Sequence, residues 1–113
     1  MVLNECEFEI TLESLTGILK EARQAAINSV HGEDGGSCNF DMTYILKKYP
    51  FLEEAMNRAG LNYSIQEDGR GRFKMAIYAP IFAQGYHNTN QAEAMLRVLA
   101  FYHIPCTMVY CID

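Results

Sequence analysis

At 113 residues, 50% hydrophobic and 20% charged, the chain has the length and balance of one globular domain, residues 1–113, that can bury a core without metal or disulfide help. No apolar run nears the roughly 20 residues of a membrane span, and "MVLNECEFEI" lacks the basic segment and apolar core of a signal peptide, so a cytoplasmic location is expected. The net charge of −5 argues against direct nucleic-acid binding, which needs a basic surface.

Along the chain, "ECEFEI" alternates strictly. Cys6, Phe8 and Ile10 face one way and Glu5, Glu7 and Glu9 the other, the pattern of a half-buried strand. Thr11 is placed to cap a following helix, with Ile10 and Leu15 as a hydrophobic staple. Leu12, Leu15, Leu19, Ala22, Ala26 and Val30 recur at threes and fours, which predicts an amphipathic helix over 12–30. "HGEDGGS" ends it in a loop.

"CNFDMTYIL", residues 38–46, leans towards a strand. Pro50 suits the first turn of a second helix, whose buried stripe is Leu52, Ala55, Met56 and Ala59, with Gly60 closing it. Leu61, Tyr63 and Ile65 alternate, as do Phe73, Met75 and Ile77, and "EDGRG" lies between them, which predicts a hairpin. A third helix follows "QGYHNTNQ". Asn88 or Thr89 is its expected cap, and Ala92, Leu96, Leu99 and His103 its expected buried face. Pro105 stops it, and "CTMVYCI" reads as a last strand.

From residue 38 to 112 the order is strand–helix–strand–strand–helix–strand. This is the ferredoxin-like βαββαβ pattern of an α+β fold, preceded by one extra β-α unit. One mostly antiparallel sheet with helices packed on a face is expected.

The charge is unevenly spread. Residues 1–37 hold seven acids against Lys20 and Arg23, so the whole deficit lies in the first third. Glu5, Glu7, Glu9, Glu13, Glu33 and Asp34 form the candidate partner-binding set. Alternate glutamates on a strand stand about 7 Å apart, close to the phosphate repeat of a nucleic-acid strand. Such a row can imitate DNA to a basic groove, or can simply be a solvated sheet face.

A second candidate is the polar loop of Gln84, His87, Asn88 and Asn90, where free N–H groups at a helix start could hold an anion or polar ligand. Cys38 with His87 could make a nucleophile pair, although a strand-start cysteine more simply enters the core. Cys6, Cys38, Cys106 and Cys111 form no C-x-x-C pair and read as reduced thiols. His31, His87 and His103 lack metal-ligand spacing, and no metal or other cofactor is expected. "GEDGGS" lacks the G-K-[ST] ending of a phosphate loop. In "RGRFKMAIY", Arg70 and Gly71 match the start of an RNA-binding consensus. Arg72 and Lys74 stand where its stacking aromatics belong, so the segment reads as an exposed hairpin arm.

"GSCNFD", then a glutamine/glycine/asparagine loop leading into "QAEAMLRVL", then a terminal "VYCID", resembles small proteins carried by phages and mobile elements of gut Firmicutes. The resemblance spans residues 36–113 and implies no particular reaction. It implies a small accessory protein acting inside a bacterial host cell on a defence or replication protein. The expected function is therefore a non-enzymatic, acidic protein-binding module. Its partner would be a basic host protein such as a nucleic-acid-handling nuclease, in a role similar to that of anti-CRISPR proteins. The alternative is a small enzyme or polar-ligand binder using residues 84–91 with Cys38 or His87.

Overall fold

The structure, a computed structural model, describes residues 10–30, 41–67, 70–81 and 85–109. The elements are α1 (Leu12–Asn28), β1 (Met42–Ile45), α2 (Leu52–Ala59), β2 (Tyr63–Glu67), β3 (Phe73–Ile77), α3 (Gly85–Phe101) and β4 (Cys106–Val109). The strand expected at residues 5–10 lies almost wholly outside the described residues.

The four strands form one sheet in the order β2-β3-β1-β4, and every neighbouring pair is antiparallel. β1 and β2 thus run the same way with β3 between them. This is the split β-α-β arrangement that gives the ferredoxin-like α+β fold. Register is set by pairs such as Ile45 with Met75 and with Cys106, and Ile65 with Met75.

Alternation along these strands separates two faces. Thr43, Ile45, Met75 and Ile77 are buried on one face, and the three helices cover it. α1 packs against both α2 and α3. Leu15, Leu19, Met56, Met75, Met95 and Leu99 are fully buried in a core shared by all three helices and the sheet.

Local chemistry explains the helix ends. Thr11 and Ser14 form a reciprocal capping box at the start of α1: the Ser14 N–H donates to Thr11 Oγ1 at 3.0 Å and the Thr11 N–H to Ser14 Oγ at 2.9 Å. α2 and α3 close in the same way. The Leu61 N–H reaches back to the Met56 carbonyl, and the Ile104 N–H to the Leu99 carbonyl. The residue before each, Gly60 (φ 78°) and His103 (φ 61°), turns into the left-handed region. Both closing residues, Leu61 and Ile104, are buried. In the hairpin turn, Gly71 also has positive φ, where a side chain would be strained.

Several expectations change in detail. His103, placed on the buried face from its spacing, is exposed because it is the left-handed terminator of α3. Pro50 precedes α2, and Phe51 holds the cap position without a side-chain hydrogen bond. Ile65 is 40% exposed, because β2 is an edge strand at the limit of helix cover. α1 ends at Asn28, with Ser29 closing it through its N–H and hydroxyl.

Candidate functional site

The start of α3 meets the start of β1, and the polar residues there are buried. Asp41, immediately before β1, is 5% exposed, His87 on α3 is 8% exposed, and Thr43 and Gln91 are fully buried. Such groups survive in a core only when their hydrogen bonds are made. The Thr89 hydroxyl donates to Asp41 Oδ2 at 2.6 Å. The Thr43 hydroxyl donates to the Ala92 carbonyl at 2.6 Å, joining β1 to the second turn of α3.

Gln91 bonds to the backbone on two sides. Its Nε2 donates to the Ile81 carbonyl at 3.0 Å and to the His87 carbonyl at 3.2 Å, while the Ile81 N–H donates to its Oε1 at 3.0 Å. One amide thus pairs with both backbone groups of Ile81, as a neighbouring strand would. It fixes the connection from β3 into α3.

These contacts correct the expected cap. α3 begins at Gly85, so Asn88 and Thr89 lie inside its first turns. Thr89 bonds instead to a buried carboxylate, and Gln91, further along, to the loop backbone. Of the amides in the segment, Gln91 attaches α3 to the preceding loop. Thr89→Val, which removes the hydroxyl at nearly constant volume, is expected to cost about 1.5–3 kcal/mol, the range for a hydrogen bond to a charged group. Urea unfolding measures this, and the loss should be less than additive with that of Asp41→Ala.

Of the proposed ligand loop, His87 is buried, and Asn88 and Asn90 are partly exposed. Gln84 and Cys38 lie outside the described residues. Asp41 and Thr43 are not candidates from the sequence, although a carboxylate within the apolar run "CNFDMTYIL" signals a buried partner. Of the acidic set, Glu13 stands exposed in the first turn of α1. Glu5, Glu7, Glu9, Glu33 and Asp34 lie outside the described residues.

The chain matches no protein family, no curated protein and no solved structure.

Among the described residues no group of three or more histidine, cysteine, aspartate or glutamate side chains is arranged to hold a metal ion. No described helix is long and apolar enough to cross a membrane. Cys106 is a free thiol, half-buried beside the Leu96 carbonyl, and burial pushes its pKa up, away from the reactive thiolate. Tyr102 donates to Glu21 at 2.7 Å, tying the end of α3 to α1, and that bond holds its phenol above the usual tyrosine range.

Proposed function

We propose that this chain is a non-enzymatic protein-binding module of a phage or mobile element. In this reading it acts in the cytoplasm of a bacterial host cell and inhibits a basic, nucleic-acid-handling host enzyme, in the manner of an anti-CRISPR protein. Its acidic first third is the contacting surface. The observation that carries the reading is the engagement of the rival site in internal bonds. Gln91 and Thr89 hold the fold together, and His87 is only 8% exposed. That leaves His87, Thr89 and Gln91 poorly placed to meet substrate. Glu13, by contrast, is exposed on a helix that is itself anchored in the core.

A basic groove would recognise such a surface through long-range attraction, which raises association rates about 10- to 1,000-fold. The experiment starts with a pull-down from host lysate and identification of the partner. A binding titration follows at low and high salt, for the wild type and for a variant with Glu5, Glu7, Glu9 and Glu13 changed to lysine. Binding should weaken as the screening length falls from about 10 Å at 0.1 M to about 3 Å at 1 M. The variant should fold normally and associate at least roughly tenfold more slowly. Salt-independent binding that survives the charge reversal would remove the acidic surface from the mechanism. A folded His87→Ala variant that loses function would shift the reading to the small-enzyme or ligand-binding alternative.

A further inference from the structure

β2 and β4 are the outer strands of the sheet, and β2 is the longer. The Tyr78 N–H donates to the Asn62 carbonyl, so Asn62, Ser64 and Gln66 turn their backbone groups towards β3. Tyr63, Ile65 and Glu67 alternate with them and turn their N–H and C=O groups away from the sheet. No described residue bonds to those outward groups. An edge of this kind is a template for another strand unless something blunts it. β2 has no lysine, no proline and no bulge. It pairs with β3 one to one from Tyr63 to Glu67, and Glu67 is its only charged side chain. Ile65, at its centre, is 40% exposed.

We propose that β2 pairs antiparallel with β2 of a second copy of this chain, about a two-fold axis through Ile65, joining two four-stranded sheets into one of eight strands. Outward backbone groups can bond only to outward backbone groups, which leaves few registers. The one centred on Ile65 alone pairs the whole strand, Tyr63 to Glu67, with itself. Ile65 then faces Ile65 of the second copy, Tyr63 faces Glu67, and Ser64 faces Gln66. Each facing pair of outward residues exchanges two backbone hydrogen bonds. The charges agree with this choice. A register centred on Glu67 would set two carboxylates directly opposite each other, which destabilises a sheet. Side chains directly opposite in an antiparallel pair share a face, so the helices of both copies lie on one side of the joined sheet.

On the helix side, at the start of α2, an apolar groove of about 210 Å³ opens beside Ile65, with Phe51, Phe73 and Met75 in its walls. Ile65 of the second copy adjoins the mouth of this groove, and the apolar contact there supplies the burial that Ile65 lacks in one copy. On the other side, the Ser64 hydroxyl and the Gln66 amide can bond across the joint. Two terms oppose these. Glu67 of the second copy comes opposite Tyr63, whose hydroxyl already donates to Glu53 at 2.9 Å, so two carboxylates approach one ring. A five-residue strand pair also falls short of the roughly 1,200–2,000 Å² buried in a stable interface. The dimer is therefore weak and forms at high concentration.

The inference is independent of the protein-binding reading, because it uses the β2 edge and no acid of the first third. Its test is sedimentation velocity on the whole chain from about 10 μM to about 1 mM, a range that spans weak dissociation constants. The expected result is a rise from the mass of one chain towards that of two. Ile65→Lys sets like charges directly opposite each other, and should raise the concentration of half-dimerisation at least about tenfold. Its far-UV circular dichroism should match the wild type, because Ile65 is exposed. Ile65→Glu should act in the same way. The two variants, mixed, should associate again, since a lysine then faces a glutamate across the axis. Glu67→Gln should strengthen the dimer by removing one of the two carboxylates near Tyr63. If Ile65→Lys unfolds, Ile65→Glu and Glu67→Gln carry the test. The proposal is overturned by a single-chain mass up to about 1 mM. It is equally overturned by association that a folded Ile65→Lys or Ile65→Glu variant leaves unchanged, by folded lysine and glutamate variants that stay apart when mixed, or by a Glu67→Gln variant that dimerises less than the wild type.

Discussion

Gln91→Leu is expected to lower unfolding stability by about 2–4 kcal/mol, although leucine fills similar space and is the more hydrophobic residue. The reason is the backbone it abandons. Gln91 is fully buried and supplies partners to both the N–H and the C=O of Ile81 and to the His87 carbonyl. Each backbone group left without a partner costs about 1–3 kcal/mol, partly offset by the gain from burying an apolar side chain. Urea unfolding gives the number. Gln91→Glu separates hydrogen bonding from packing. It keeps the acceptor for the Ile81 N–H but turns a second carboxylate oxygen towards two carbonyls. Burial beside those carbonyls raises its folded-state pKa, so this variant should be least impaired at low pH and lose stability as pH rises through that value. A loss near zero for Gln91→Leu at all pH values would mean that the β3–α3 connection does not need its glutamine clamp.

This pattern marks where sequence reasoning reaches and where it stops. The helices α1 and α2 and the hairpin were legible because their signals are local. Thr11 precedes a run of leucines at helical spacing, Gly60 follows a stripe of Leu52, Ala55, Met56 and Ala59, and the β2 and β3 residues alternate around a glycine-bearing turn. The order of those elements then leaves few ways to arrange the sheet. The start of α3 was not legible, because its polar residues bond to groups that only the fold brings near. Asp41 is 48 residues from Thr89 in the chain. Asn88 and Thr89 satisfy the local rule for a cap, but the local rule does not see that carboxylate. His103 shows the same limit: a left-handed terminator is expected of glycine, and a histidine there reads as one more helical position.

Which side of β1 the helices cover was hidden for a different reason. In "MTYI" both parities are largely apolar, so alternation alone does not say which side the helices cover. The bond from Thr43 to Ala92 decides it and turns Tyr44 outward. Tyr44 is accordingly only half-buried, while Thr43 and Ile45 on either side of it are fully buried.

For the acidic surface to act as a fixed template, α1 must belong to the core and not hang from it as an arm, and Leu19→Ala tests this. Leu19 is fully exposed to neither solvent nor loop: its relative exposure is 0%, and it lies in the cluster that joins α1 to α2, α3 and the sheet. Truncating a buried leucine costs roughly 2–5 kcal/mol, the lost transfer free energy plus the cavity left behind. Against a total of about 5–15 kcal/mol for a domain, that is a large fraction. The expected result is one cooperative urea transition at a lower midpoint with an unchanged slope, reported equally by far-UV circular dichroism and by tyrosine fluorescence. Tyr102, bonded to Glu21 across the α1–α3 contact, makes the fluorescence sensitive to α1 itself. If α1 were an appended arm, Leu19→Ala would instead produce two transitions, with the βαββαβ unit melting where the wild type does. In that case Glu13 would be carried on a segment free to move relative to the sheet, and pre-organised recognition of a basic groove would lose its structural footing.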